Sequence, residues 1–256
     1  MKRFMLVNMN PTPKLLLNAA PASKLTRIVS RLLLIFTITA FVQTLAQAQD
    51  NKQDDYKKAI RERTAKIINT LGITDSTKYN KALNSVMNQY FSLNTIHEEN
   101  KTALTDIKSQ SLPKEQNEEA VKKQQEKKSE QLKQLHEKFI AQLKKDLSDE
   151  QVEKIKDGMT YRVFPITYAA FLDMLPALTI EQKDKIYNWL KEARELAMDA
   201  ESSEKKHEVF GKYKGRINNY LSAAGYDMKK EGEEWQKRIK ERDAAKKSQA
   251  TTGQTN

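Results

Sequence analysis

The sequence predicts an all-α protein, a single multi-helix domain of about seven or eight helices after an N-terminal signal peptide. Apolar residues recur at the three- and four-residue spacing of amphipathic helices. No segment shows the strict alternation of apolar and polar residues that marks a half-buried strand. The 256 residues include only seven glycines and six prolines, so turn-forming residues are few.

The first 48 residues have the composition of an export signal. They carry six cations and no acidic residue, and the apolar run LLLIFTITAFV follows Arg31. The run ends at Ala46-Gln47-Ala48, so we expect cleavage between Ala48 and Gln49 and a periplasmic or secreted protein. A bilayer crossing needs about 20 apolar residues, so no stable membrane span is expected after cleavage.

The charge of the mature chain argues against nucleic acid as a partner. Loss of the six leader cations reduces the formal net charge from +11 to +5. Such a weakly basic chain lacks the strong positive field of nucleic-acid-binding domains. Cysteine is absent and the three histidines are scattered along the chain, so we expect no metal site and no cofactor.

The predicted domain covers residues 56–240, after a short leader at 49–55. Its first helix runs from about Tyr56 to Leu71 and ends at Gly72, since glycine commonly follows the last helical turn. Thr74 or Asp75 caps the second helix. The apolar positions of the second helix are Leu83, Val86, Met87, Tyr90, Leu93 and Ile96.

A charged segment interrupts the apolar pattern at residues 114–131. It reads KEQNEEAVKKQQEKKSEQ and holds almost no apolar residue. Pro113 suits the start of a helix. The composition predicts a solvated helical arm or partial disorder. The helical periodicity returns from Leu132 to Leu147.

Two later helices share one starting pattern. The sequences LSDEQ from Leu147 and LTIEQ from Leu178 each place a hydroxyl residue three positions before a glutamine. This is the capping box, in which the hydroxyl caps the backbone and the glutamine reaches back to it. An internal duplication would give the same pattern, but ordinary capping is the simpler interpretation.

The second half of the domain contains one predicted non-helical link. Gly158 is expected to end a helix, and residues 159–164 to form an ordered link because Pro165 disfavours helix in the residue before it. Later helices are predicted at Pro165–Leu175, before Pro176, and at Ser203–Ala224 and Asp227–Lys240, with Gly225 between the last two. The polar tail at 241–256 is predicted to be disordered.

The segment HEVFGKYKGRINNYLSAAGYDM, residues 207–228, holds three of the seven glycines. On a helix, Gly211 and Gly215 share one arc and leave a strip without side chains. Because each helical glycine costs about 1 kcal/mol against alanine, we expect something to lie close to this strip. A crossing helix and a bound ligand are the two candidates.

Cations, amides and aromatic rings near this strip and in the predicted link form the candidate ligand site. Arginine binds carboxylates with two hydrogen bonds, and tyrosine stacks on sugar rings. We expect the rare glycines to bring the link and this helix together, so that these side chains converge on one hollow. The candidate ligand-binding residues are Tyr161, Arg162, His207, Lys214, Arg216, Asn218 and Asn219.

Several stretches carry a family resemblance, among them KDGMTYRVFPITYAAFLDMLPALTIEQK and GKYKGRINNYLSAAGYD. They resemble the "domain of unknown function 3826" family of exported helical proteins from glycan-degrading Gram-negative bacteria, over about residues 61–240. The resemblance implies a periplasmic or surface setting with oligosaccharides nearby. It brings no catalytic motif with it.

The favoured function is therefore an accessory or binding protein for oligosaccharides, including uronate-containing ones, in polysaccharide utilisation. The partner would be an oligosaccharide or another envelope protein. A glycan-acting hydrolase or lyase is the first alternative, with acid and base groups drawn from Asp, His and Tyr. The second is a chaperone-like protein, since LSDEQ and LTIEQ are similar to the Leu-Thr-x-x-Gln motif of small periplasmic helical chaperones.

No enzyme motif is complete in the sequence, so binding is favoured over catalysis. His97-Glu98-Glu99-Asn100 lacks the second histidine of a helical zinc-protease site. Ser203-Glu204-Lys205-Lys206 matches Ser-x-x-Lys without its companion motifs. The candidate carboxylates for the enzyme alternative are Asp157, Asp173 and Asp199.

Overall fold

The structure, a computed structural model, describes the backbone of residues 53–252 and the side chains of residues 53–246. The predicted signal peptide therefore lies outside the described residues. Residues 53–56 belong to a first unit, and the described residues from Lys57 onward belong to a second, compact unit. Of the first unit only residues 53–56 are described, and they are helical.

The described residues form eight α-helices and no strand, as the sequence predicts. Helix α1 covers 53–68 and continues as a 3-10 turn, Asn69–Leu71. The other helices are α2 Ser76–Ser109, α3 Lys114–Leu143, α4 Asp149–Met159, α5 Val163–Met174, α6 Ile180–Met198, α7 Ser203–Ala223 and α8 Met228–Thr252. Within residues 53–252, no helix is both long enough and apolar enough to cross a membrane.

The helix ends follow the predicted capping chemistry. Gly72 has a φ of 65° and follows the 3-10 turn, and the Asp75 carboxylate accepts from the Lys78 backbone N–H at 2.6 Å. Complete capping boxes form at Ser148 with Gln151 and at Thr179 with Gln182. Local side-chain chemistry therefore sets where these helices begin.

Helices α2 and α3 form a long antiparallel hairpin. Gln124 on α3 donates to the Asn100 side chain on α2 at 3.2 Å, and Lys81 lies 3.6 Å from Asp146. The charged arm at 114–131 forms the first part of α3 and is therefore helical, the first of the two predicted alternatives. Helix α8 continues to Thr252, past the predicted end at Lys240. Residues 253–256 of the predicted disordered tail lie outside the described residues.

Two apolar clusters form the core. The first joins α1, α2, α3 and α4 through side chains such as Ile68, Val86, Phe139 and Ile155. The second joins α5, α6 and α7 and includes Ile186, Leu190, Phe210, Ile217 and Leu221. The apolar face of α7 thus forms part of the core, and the opposite face of the helix is left exposed.

The prediction of a close approach at Gly211 and Gly215 is wrong. A Cβ atom built at either glycine would have nothing within 4 Å. The close approach occurs at Gly158, where a Cβ would lie 2.8 Å from Cγ2 and 2.9 Å from Cγ1 of the buried Ile67. Gly158 therefore allows α4 to pack closely on α1. No helix crosses α7 at Gly211 and Gly215.

These glycines provide a paired test of stability. Gly158→Ala forces Ile67 to move, and overpacking of this kind costs about 1–3 kcal/mol, partly offset by the higher helix propensity of alanine. We expect a lower free energy of unfolding. The control Gly215→Ala gains helix propensity in open space and should raise that free energy by up to about 1 kcal/mol. Urea unfolding measures both, and equal effects of the two substitutions would contradict this packing.

Candidate functional site

The link between α4 and α5 is shorter and more strained than predicted. It contains only residues 160–162, because α4 extends through Gly158 to Met159 and α5 already begins at Val163. Pro165 is accommodated in the first turn of α5, where its missing N–H costs no helical hydrogen bond. The chain therefore reverses over three residues, and half of the expected link at 159–164, namely residues 159, 163 and 164, is helical.

This reversal is a Schellman motif with tyrosine in the position that usually holds glycine. The Arg162 N–H donates to the Asp157 carbonyl at 2.7 Å, and the Tyr161 N–H donates to the Gly158 carbonyl at 3.3 Å. Tyr161 has a φ of 58° and Arg162 a φ of 57°, both left-handed. Bulky residues rarely adopt this conformation, which costs about 1–3 kcal/mol each.

The end of α7 shows the usual solution to the same turn. The Gly225 N–H donates to the Ser222 carbonyl and the Tyr226 N–H to the Leu221 carbonyl, at 3.0 and 3.1 Å. Gly225 takes the left-handed conformation there with a φ of 95°. Glycine adopts this conformation without steric cost. The chain thus retains a strained Tyr161-Arg162 pair where glycine would fit, and such strain is typical of functional sites.

Tyr161 and Arg162 line a cavity of about 630 Å³ between α1, α4 and the start of α5. We call it the cationic cavity, because Lys66, Lys154 and Arg162 also line it and Asp157 is its one acidic residue. Its remaining walls are Ile67, Thr70, Gly158 and Pro165. A volume of this size suits a small-molecule ligand.

The charges of the cationic cavity are only partly compensated. The Asp157 carboxylate accepts from Arg194 at 2.7 Å, which offsets part of its charge from behind the cavity. Burial raises the pKa of Asp157, while the contact with Arg194 opposes that rise. Lys154 pairs with Glu150 at 2.8 Å on the exposed side of α4. Among the described residues, Lys66 and Arg162 take part in no ion pair.

Two predicted ligand residues lie together at Tyr161. Its ring stacks on the ring of His207, with centroids 5.6 Å apart and an interplanar angle of 13°. The Arg63 guanidinium lies 5.7 Å from the Tyr161 centroid. The tyrosine at this turn therefore joins α1 to α7, and stacking on His207 already occupies part of the surface that was predicted to bind a sugar ring.

The other predicted ligand residues do not line the cationic cavity. Lys214 and Asn218 line a different cavity, between α5, α7 and α8. The Arg216 guanidinium lies 4.3 Å from the Trp189 ring centroid and 3.9 Å from Glu192. Asn219 is exposed on α7. The expectation that all seven side chains converge on one hollow is therefore wrong, since no helix crosses α7 at its glycines.

Each candidate catalytic aspartate is held by a basic partner. Asp157 contacts Arg194, as described above. Asp173 accepts from Trp235 at 2.6 Å and from Arg242, and these contacts lower its pKa to about 2. Asp199 accepts from His136 at 2.8 Å. Of the three, only Asp157 lines the cationic cavity.

A buried charge network behind the cavity escaped the sequence analysis. The Arg194 side chain on α6 is 1% exposed and contacts Asp157, Glu153 and Glu195. The Glu195 carboxylate also binds Lys156 at 3.0 Å. The sequence does carry a signal for this network: Arg194 lies four residues after Leu190, at a position that the apolar spacing of α6 places in the core. The network fixes α4 on α6 and so holds one wall of the cationic cavity.

His136 extends this network to α3. Its Nδ1 lies 2.8 Å from Asp199 and its Nε2 lies 3.4 Å from Glu195. The hydrogen bonds to Asp199 and Glu195 raise the pKa of His136 to about 9 against an opposing effect of burial. Burial acts against the charge of Glu195, but the contacts with His136 and Lys156 outweigh it and lower the Glu195 pKa to about 2.

Because its pKa is raised, His136 is expected to stabilise the fold less as the pH becomes alkaline. The stabilisation that protonated His136 provides is fully present below about pH 6.5, and it is lost as the pH rises through about 9. We expect the contribution of His136 to the free energy of unfolding to fall by about 1–3 kcal/mol between those values. His136→Gln should remove most of this slope in urea unfolding, whereas identical slopes would contradict the assignment.

Among the described residues, no group of three or more His, Cys, Asp or Glu side chains could hold a metal ion. A search of curated proteins found no match to the chain. The family described as "Protein of unknown function (DUF3826)" matches residues 57–241, which contain the whole cationic cavity. The chain therefore belongs to this DUF3826 family.

Proposed function

We propose that the protein binds acidic oligosaccharides, including uronate-containing ones, in the cationic cavity and serves as an exported accessory protein in polysaccharide utilisation. The observation that carries the proposal is the strained Tyr161-Arg162 pair at the rim of a cavity lined by three cations. Arginine and lysine bind carboxylates through charge-assisted hydrogen bonds. The export and the glycan setting remain predictions from the leader and the family resemblance.

The charge balance of the cavity supports an anionic ligand. Arg162 and Lys66 lack an ion-pair partner among the described residues, and the charge of Asp157 is partly offset by Arg194. A sugar carboxylate would supply the missing negative charge. The hydroxyl of Thr70 lines the same cavity but donates to the Ile67 carbonyl at 2.7 Å, so it remains free only to accept from a sugar hydroxyl.

The test compares acidic and neutral oligosaccharides of the same length. We expect trigalacturonate to bind in isothermal titration calorimetry and maltotriose not to bind. Affinity for trigalacturonate should fall as salt is added, because the exposed part of the site is screened. Equal affinity for both sugars, or no binding of trigalacturonate at low salt, would reject the proposal.

A glycan-cleaving enzyme is the second candidate, and one observation favours it. Asp157 has a raised pKa and lines the same cavity as Tyr161, so a carboxylate and a phenol are both present. Cleavage would use them as acid and base. Mass spectrometry of pectic oligosaccharides incubated with the protein tests this. New products that disappear with Asp157→Asn would support an enzyme, and unchanged substrates would exclude it for these glycans.

A further inference from the structure

A second cavity, of about 350 Å³, lies between α5, α7 and α8 and shares no lining residue with the cationic cavity. We call it the apolar cavity. Four of its residues, spaced along one face of α5, are apolar, and α8 supplies two more. These side chains are Ile166, Ala170, Phe171, Met174, Met228 and Trp235. Ile166 is 61% exposed, which is unusual for a large apolar side chain beside a cavity.

The wall that α8 contributes is fixed by polar contacts with the end of α5. Trp235 Nε1 donates to the Asp173 carboxylate at 2.6 Å, and Arg242 makes two contacts with it, at 3.0 and 2.7 Å. Arg238 donates to the Asp173 and Met174 carbonyls at 3.2 and 3.0 Å. Because the indole N–H already has its partner, Trp235 can offer a ligand only the apolar surface of its ring.

One cation, Lys214, and two neutral polar side chains, Thr167 and Asn218, line the rest of this space. Lys214 on α7 forms no ion pair with any residue that the structure describes, and Asn218 follows it one turn later on the same side of the cavity. A sugar would need several hydrogen-bonding groups, and besides Lys214 and Asn218 the cavity offers only the Thr167 hydroxyl, since the indole N–H already has its partner. An apolar body with one anionic end would satisfy both the walls and Lys214.

We propose that the apolar cavity binds an amphipathic carboxylate, a compact hydrocarbon chain with one terminal carboxylate, with the hydrocarbon against α5 and α8 and the carboxylate at Lys214 and Asn218. The cavity volume favours a single short chain over a peptide segment. Lys214 and Asn218, the residues left outside the cationic cavity, thereby gain a ligand. This site is independent of the oligosaccharide proposal.

Trp235 provides a direct reporter of this site. Trp189, the only other tryptophan, is removed with Trp189→Phe, which keeps an aromatic ring beside Tyr220. In this background we expect decanoate, added below its micelle-forming concentration, to change the Trp235 fluorescence saturably. Lys214→Gln should weaken decanoate binding about tenfold, the effect of losing one charge-assisted hydrogen bond, and leave the binding of decanol unchanged.

Two controls make the result decisive. Lys212→Gln removes another exposed cation on α7 that does not line the cavity, so it should leave decanoate affinity unchanged. Ala170→Phe fills the cavity and should abolish the saturable signal for both ligands. Absence of saturable binding, or equal decanoate affinity with and without Lys214, would overturn the proposal. So would a fluorescence change that follows dimer formation in analytical ultracentrifugation, because a second copy would then occupy the surface.

Discussion

Arg194→Met is expected to lower the free energy of unfolding by about 3 kcal/mol. Removing one partner of a buried ion pair typically costs about 3–5 kcal/mol, since the remaining charge stays buried without compensation. The lower end applies because the Glu153 side chain is 41% exposed and regains water. Methionine preserves most of the apolar stem, so the loss reports the charge network and the contact with Phe164 at 5.1 Å.

Arg216→Met is the matched control for Arg194→Met. Arg216 is also a cation beside an aromatic ring and a carboxylate, but its side chain is 54% exposed. Exposed pairs of this kind contribute about 0–1 kcal/mol. Acid should partly rescue Arg194→Met, because protonation removes the unpaired charges of Glu153 and Asp157. A loss below about 1 kcal/mol for Arg194→Met in urea unfolding would contradict the role given to the network.

Arg162→Gly is expected to weaken trigalacturonate binding about tenfold to a hundredfold without loss of stability. The affinity range follows from removing hydrogen bonds to a charged group, each worth about 1.5–3 kcal/mol. Stability should be retained because glycine fits a φ of 57° better than arginine does. Calorimetric titration measures the affinity, and the thermal midpoint measures the stability.

Lys212→Ala and Tyr161→Gly complete the Arg162→Gly experiment. Lys212 is an exposed cation outside the cationic cavity, so its loss should leave trigalacturonate affinity unchanged. Tyr161→Gly should relieve backbone strain at the turn but remove the stacking on His207. We expect an unchanged or higher thermal midpoint with weaker binding. An Arg162→Gly protein that melts much earlier, or that binds as tightly as the wild type, would contradict this account.

Local chemistry explains why most of the fold could be predicted. The capping residues Asp75, Ser148 and Thr179 act within three residues of themselves, so their effect is readable from the sequence. The end of α7 at Gly225 is equally local. The start of α5 was misplaced because the strained conformations of Tyr161 and Arg162 shorten the link, and no local preference of these residues favours them.

The candidate site could be predicted only in part, because its parts are far apart in sequence. Tyr161 and Arg162 were recognised as unusual residues in a turn. Their partners Lys66 and Lys154 look like ordinary solvated lysines until the packing of α1 on α4 brings them together. Arg194 is likewise far along the chain from Glu153 and Asp157, and His136 from Asp199. The glycine prediction failed because helix composition does not reveal what packs on each face.

The central claim is that an acidic oligosaccharide binds between α1 and the strained turn before α5. The direct measurement is a two-dimensional amide NMR titration of the protein with trigalacturonate. We expect the largest shifts at residues 66–70 and 158–163, with none at residues 214–218. Saturable shifts confined to residues outside the cationic cavity, or no shift at all with trigalacturonate in excess, would contradict the claim.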